Sequence, residues 1–322
     1  KHSRSFSKAE IGSRFQQLTT TAHYKSLTEI INRQQSLNKQ NENAQMYVLT
    51  DLQKSTFAIE NVNQKSADYK NLKDRIGHAD DVWREKFQHV DPRGGGRASA
   101  RETVSRVIAG SFAQMFLNSL QDSKQTHVVS YVTQIGSHKM DKSKLYEAPE
   151  LSHLVADSPI RTPDKNFENK TTDLLLQAKN NNESYGGWIE TKVFHPPELI
   201  GEPVFYKLKS ELAKAVTSIG ACVGFYLGSS LEPLSMKGSE FHAAMDSDHY
   251  AGIRGGISTG ETITFNAAFK PTSSIKDVAK NGRHDPCILP RATAVVEAMT
   301  YLVLADLVLW KRSMTFDNST RL

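Results

Sequence analysis

The sequence predicts a mixed fold in which strands pack around two buried helices. Residues 127–135 alternate in apolar character as a strand does. Residues 97–120 carry Val104, Val107, Ile108, Phe112, Met115 and Phe116 at helical intervals. Residues 290–311 form a second, more apolar helix, entered like the first from a chain break, here Gly282-Arg283-His284-Asp285-Pro286. A polar loop that feeds a well-packed helix thus occurs twice. That doubling suggests two related halves of a single domain over residues 1–322, although no clean sequence repeat accompanies it.

In chain order, residues 1–45 are polar, with weak amphipathic helical signals at Leu27, Ile30 and Ile31. Residues 46–49 and 56–59 are short strand-like pieces, and 65–80 is a polar connection ending in Gly77-His78-Ala79-Asp80. Gly94-Gly95-Gly96 breaks the chain before the first long helix, and Ser99 stands three residues before Glu102, the spacing of a capping box. Ala100, Ala109, Gly110 and Ala113 predict close packing of that helix against another element. Residues 140–170, polar with scattered prolines, read as a surface excursion. A short helix at 171–179, a strand at 186–193 and a helix at 204–218 with Leu208, Leu212, Ala215 and Val216 follow. Strands at 221–227 and 261–269 flank a glycine-rich turn at 251–260.

With 322 residues, 38% hydrophobic and 23% charged, the chain has the make-up of an ordinary globular protein with room for a sizeable core. No uninterrupted apolar run reaches the ~18–20 residues of a membrane span, since Asp306 divides the nearest candidate, 298–310. No basic-then-apolar leader opens the sequence, so no secretion and no membrane partner are expected. Two cysteines, Cys222 and Cys287, make neither a disulfide framework nor a zinc pair, which suits a reducing, cytoplasmic setting. The net charge of +5 comes without a continuous Lys/Arg block. Cations facing an anionic small molecule account for it better than nucleic acid does.

Four motifs carry chemistry, each beside a plainer reading. In Gly94-Gly95-Gly96-Arg97-Ala98-Ser99-Ala100-Arg101-Glu102-Thr103, glycines allow close backbone approach, and the helix N-terminus and two arginines suit an anion. A flexible turn before a helix reads the same way. Asp285, beside Arg283 and His284, suits proton transfer, or else caps a helix. Lys270-Pro271-Thr272-Ser273-Ser274-Ile275 offers one cation and three hydroxyls to a phosphate, or is a simple turn. His78 is an imidazole, the natural proton donor near neutrality, or an ordinary surface histidine. For Cys287 the plainer role, a small buried side chain, is the better reading.

Together these motifs resemble the chorismate synthase family. The glycine run matches that family at every position except Ala98, where the family has serine. The second motif is similar through Pro290-Arg291-Ala292 and Val295-Val296-Glu297-Ala298-Met299 as far as Asp306. Lys270-Pro271-Thr272-Ser273-Ser274-Ile275, Gly255-Gly256-Ile257-Ser258, Gly220-Ala221, Gly77-His78-Ala79-Asp80 and Lys65-Ser66-Ala67-Asp68-Tyr69 resemble further family stretches. The resemblance covers residues 42–322 with gaps. The family's N-terminal Thr-Thr-Phe-Gly-Glu-Ser-His-Gly has no clear counterpart: at 18–26, Lys25 falls where the histidine belongs and His23 lies two positions away. Arg33 is the sole candidate for the family's arginine-rich segment, and several connections are short.

The resemblance implies an α+β fold of antiparallel β-sheets sandwiching core α-helices, assembled as a homotetramer. The segment pattern above is compatible with that fold but does not by itself produce it. The implied reaction is the anti-1,4-elimination of phosphate from 5-enolpyruvylshikimate 3-phosphate to chorismate. The implied cofactor is reduced FMN, with NAD(P)H as a candidate reductant. His78 and Asp285 are the implied proton-handling residues. Arg97, Ala98, Ser99, Gly220, Ala221, Gly255, Lys270, Pro271, Thr272, Ser273, Ser274 and Arg283 are implied to bind FMN, and Arg101 and Arg33 to bind substrate. The alternative is a catalytically impaired flavin-binding paralogue that lacks the N-terminal histidine. A nucleotide- or nucleic-acid-binding protein fits less well, because the glycine run lacks the P-loop lysine placement.

Overall fold

A computed structural model describes residues 77–88, 100–120, 125–144, 146–243, 248–276 and 284–314. The chain divides into two compact units, residues 1–72 and 73–322, and every described residue belongs to the second. The elements expected at 1–45, 46–49 and 56–59, and the stretch 65–69, lie outside the described residues.

The described chain runs α1 (Asp80–Phe87), α2 (Thr103–Asn118), β1 (His127–Ile135), β2 (His138–Lys139), α3 (Ala148–Asp157), α4 (Lys165–Asn180) and β3 (Gly187–Phe194). It continues α5 (Leu208–Thr217), β4 (Cys222–Leu227), α6 (Gly238–Phe241), β5 (Ile253–Arg254), β6 (Ile257–Ser258), β7 (Ile263–Phe269) and α7 (Leu289–Met314). Five strands form one sheet in the order β2-β1-β3-β7-β4, antiparallel throughout, and β5 pairs with β6 in a separate hairpin. The fold is α+β, as expected, with an antiparallel sheet against two long core helices. Among the described residues the second sheet is only the β5–β6 hairpin.

Helix α7 organises the core. It packs against α2, β1, α5 and β3, with Leu289, Val296 and Leu304 fully buried. It is long and apolar enough to cross a membrane by composition, yet 61% of its most apolar window is buried inside the protein. An all-round apolar helix inside a fold reads the same way as a spanning one. The close packing expected of the small residues in α2 is found at Gly110, where an added Cβ would lie 2.5 Å from the Cα of Ala298. Not every apolar residue of α2 turns inward. Leu117 and Ala113 are buried, whereas Val104, Ile108, Phe112 and Met115 form an exposed stripe. The helix begins at Thr103, after a 3-10 turn at Ala100–Glu102, later than the sequence suggested. Glu102 pairs there with Arg106 at 3.1 Å.

Residues 140–170 are not a surface excursion. They contain α3 and the first turn of α4, and Leu151, Val155, Ile160 and Phe167 enter the core. Asp164 caps α4 by accepting from the N–H groups of Asn166 and Phe167 at 2.8 and 3.1 Å. Of the prolines that suggested a loop, Pro149 sits in the first turn of α3, where a missing N–H costs nothing.

The outer edge of β1 is sealed by α7 together with the connection from α3 to α4. β2 covers it only at Gln134 and Ile135. Further along, the Val128 N–H donates to the Tyr301 hydroxyl at 3.0 Å, Ser130 to a Glu297 carboxylate oxygen at 2.8 Å, and Val132 to the Arg161 carbonyl at 2.8 Å. Glu297 and Tyr301 stand one helical turn apart, so they meet alternate donors of one strand edge. Burial pushes the Glu297 carboxyl up to about 7, against the opposing pull of the Ser130 N–H and the Arg161 charge. On the sheet itself, Tyr131, Glu190 and Asn266 are register neighbours. Glu190 is buried and accepts hydrogen bonds from Tyr131 and from Lys142, so its charge is paired.

Candidate active site

Three of the sequence motifs meet at one end of the sheet. β7 ends at Phe269 opposite Gly187, and the chain continues into Lys270–Ser274. That loop passes so close to β3 that a Cβ on Gly186 would lie 2.3 Å from the Phe269 carbonyl oxygen, which explains glycine there. At the loop's start the Lys270 N–H donates to the carbonyl of Ala221 at 3.0 Å, and Ala221 is in the left-handed region with φ +68°.

The three hydroxyl-bearing residues then bind two other segments. Thr272 Oγ1 donates to the Asp285 carbonyl at 2.6 Å. Ser273 Oγ donates to the Gly77 carbonyl at 2.8 Å, joining the loop to the Gly77-His78-Ala79 turn. The Ser274 carbonyl is 2.6 Å from His284 Nδ1. The Thr272 and Ser273 hydroxyl protons are therefore committed to carbonyls. What the loop leaves for an anion is the exposed Lys270 ammonium, the Ser274 hydroxyl and the backbone.

His78 is half-buried, and Gly77 and Ala79 on either side have φ +76° and +57°. This left-handed pair turns the chain sharply into α1 and presents the imidazole from the turn itself. Asp285 does not serve as the capping residue that the plainer reading offered: the bond its carboxylate makes is an ion pair with Arg291 on the first turn of α7. Arg291 is thus a site residue by geometry.

Sequence reasoning also missed residues 182–185. Ser184 Oγ donates to the Thr272 carbonyl at 2.7 Å, the Tyr185 N–H to the Pro286 carbonyl at 2.8 Å, and the Lys276 N–H to the Asn182 carbonyl at 2.8 Å. One short connection between α4 and β3 therefore clamps both loops of the site. Only the Glu-Ser-Tyr-Gly-Gly run hinted at it, through its glycines.

The remaining expected residues fall differently. Gly220 is exposed, with open space around it, next to Ala221. Gly255 is exposed at the β5–β6 turn with φ +60°. The contacts of that hairpin run to residues 197–200, through Ser258, and to the start of α5, where Leu208 N–H donates to the Gly256 carbonyl at 2.8 Å. Arg33, Arg97, Ala98, Ser99 and Arg283 lie outside the described residues, as does the side chain of Arg101. Burial pushes the Cys287 thiol up to about 12 and also raises that of Cys222, so neither is a thiolate near neutrality.

The fold matches a solved structure, the crystal structure of a chorismate synthase, at a TM-score of 0.61 with 27% identity over 72% of this chain and 70% of that one. The chorismate synthase family model matches residues 49–309. The chorismate synthase of Bdellovibrio bacteriovorus is 50% identical over 79% of this chain and 74% of its own length. That of Porphyromonas gingivalis is 41% identical over 80% and 75%. The chain belongs to the chorismate synthase family, whose members are carbon–oxygen lyases.

Proposed function

We propose that this chain catalyses the anti-1,4-elimination of phosphate from 5-enolpyruvylshikimate 3-phosphate to give chorismate, with reduced FMN bound and no net redox change. The observation that carries the reading is the convergence of the Gly77-His78-Ala79 turn, the Lys270–Ser274 loop and the entry to α7, tied by the bonds of Thr272, Ser273 and His284. The residues fit a flavin mononucleotide: an exposed lysine suits its phosphate, and a buried imidazole nitrogen of His284 lacks a partner. Bound in reduced form, the flavin supplies an electron transiently, and that chemistry is the cofactor's own.

The chain's own residues bind, orient and handle protons. Lys270 and the backbone of 271–274 hold the cofactor, with Arg97, Ala98, Ser99, Gly220, Ala221, Gly255 and Arg283 as further contacts. Arg101 and Arg33 bind the substrate's anionic groups; these cations offset the charge that develops on the departing phosphate. His78 delivers a proton beside the flavin. Asp285, oriented by its ion pair with Arg291, serves the flavin N5 region or accepts the proton lost from C6. The family model, matched over residues 49–309, spans the boundary at 72/73, and residues 1–322 are read as one functional domain. A cytoplasmic homotetramer, with NAD(P)H as the source of reducing equivalents, completes the proposal. No observation favours an impaired paralogue.

The test is an anaerobic assay with chemically reduced FMN and 5-enolpyruvylshikimate 3-phosphate, following chorismate. Turnover with equimolar phosphate release is expected. Tight FMN binding without turnover would refute the proposal.

A further inference from the structure

We propose that the Nε2 atom of His284 accepts a hydrogen bond from the bound flavin, making His284 a cofactor-binding residue; the inference rests on the FMN reading above. His284 Nδ1 lies 2.6 Å from the Ser274 carbonyl oxygen. A carbonyl can only accept, so Nδ1 carries the proton. In the neutral ring that leaves Nε2 with a bare lone pair, an acceptor. This atom is buried and has no hydrogen-bond partner.

Buried polar atoms without partners are rare, because water is lost and nothing replaces it. Four other such atoms occur among the described residues, on Asn118, His138, Ser158 and Thr171, and none belongs to the converging loops of the site. His284 does. It stands between Ser274 of the loop assigned to FMN and Asp285, whose Oδ2 pairs with Arg291. A donor must come from the ligand, and a reduced flavin provides several, its ring N–H groups and ribityl hydroxyls among them. The Ser274 carbonyl fixes both the tautomer and the ring orientation, so Nε2 is preorganised before the ligand arrives.

His284→Asn separates the two roles of the ring. An asparagine amide can still donate to the Ser274 carbonyl in place of Nδ1, but nothing then stands where Nε2 was. FMN binding is read by flavin fluorescence, and thermal unfolding of the ligand-free protein is followed alongside. The expected result is affinity weakened about tenfold in H284N, with ligand-free unfolding unchanged. H284Q, whose amide oxygen reaches the Nε2 position, recovers most of that loss. In parallel, 15N-histidine spectra of the wild type show one ring whose bare Nε2 signal moves upfield when FMN is added, a shift missing in H284N. Should H284N fold poorly, H284Q and the wild-type spectra still decide. Wild-type affinity in H284N, or an Nε2 signal indifferent to FMN, overturns the proposed contact alone. A wild type that binds no FMN overturns the cofactor reading, and this inference with it.

Discussion

Replacing Glu297 by glutamine keeps an oxygen for the Ser130 N–H and removes the charge. In the wild type, burial lifts this carboxyl from its ordinary 4.5 to about 7. The folded protein therefore binds an extra proton between those pH values that the unfolded chain does not. The stability contributed by this group is fully present below about pH 4.5 and is lost as pH rises through about 7. A displacement of this size corresponds to at most about 3 kcal/mol, and the partial exposure of the residue brings it to ~1–3 kcal/mol. E297Q carries no such penalty. Urea unfolding of both proteins at pH 5 and pH 8 should show near-equal stability at the lower pH. At the higher pH the variant should be more stable by ~1–3 kcal/mol. A stability difference that stays constant across that range refutes the assignment of a buried, proton-binding carboxyl at the β1 edge.

Two further substitutions test the packing and the site. Gly110→Ala forces a methyl to within 2.5 Å of Ala298, and overpacking of this kind costs about 1–3 kcal/mol, more than the ~1 kcal/mol alanine gains in a helix. A melting temperature unchanged or raised by G110A would contradict the close α2–α7 crossing. Ser273→Ala removes the bond to the Gly77 carbonyl and loosens the turn that carries His78. With a hydrogen bond worth about 0.5–1.5 kcal/mol, kcat for chorismate formation should fall roughly 2- to 10-fold, with little change in thermal stability. Unaltered turnover would disconnect that bond from the positioning of His78.

The sequence was most legible where local pattern and burial agree. β1 was read at its true bounds, because its apolar residues face a core, and α7 was read to within a few residues at either end. Residues 140–170 misled because polar residues and prolines outnumber the few apolar ones that matter. Leu151, Val155, Ile160 and Phe167 are spaced to pack, yet scattered among charges. The motif residues were visible as chemistry, but their joints were not. Ser184 reaches Thr272 across 88 positions and Ser273 reaches Gly77 across 196, distances over which no periodicity speaks. Glu297 shows the same limit. On paper it is a charge in an apolar helix, and only the strand edge beside it gives it a partner.

That strand edge also sets an order of events during synthesis. The donors on β1 wait for side chains that follow it by 167 positions for Glu297 and 173 for Tyr301. At the usual pace of translation this gap lasts on the order of ten to thirty seconds, during which β1 has already emerged and its flank is open. For that interval the nascent chain presents one unpaired strand edge to its neighbours, the kind of surface that recruits foreign strands. Losing the distal helix, by premature termination or by a frameshift after β7, would therefore create a sticky polypeptide and not merely an inactive one.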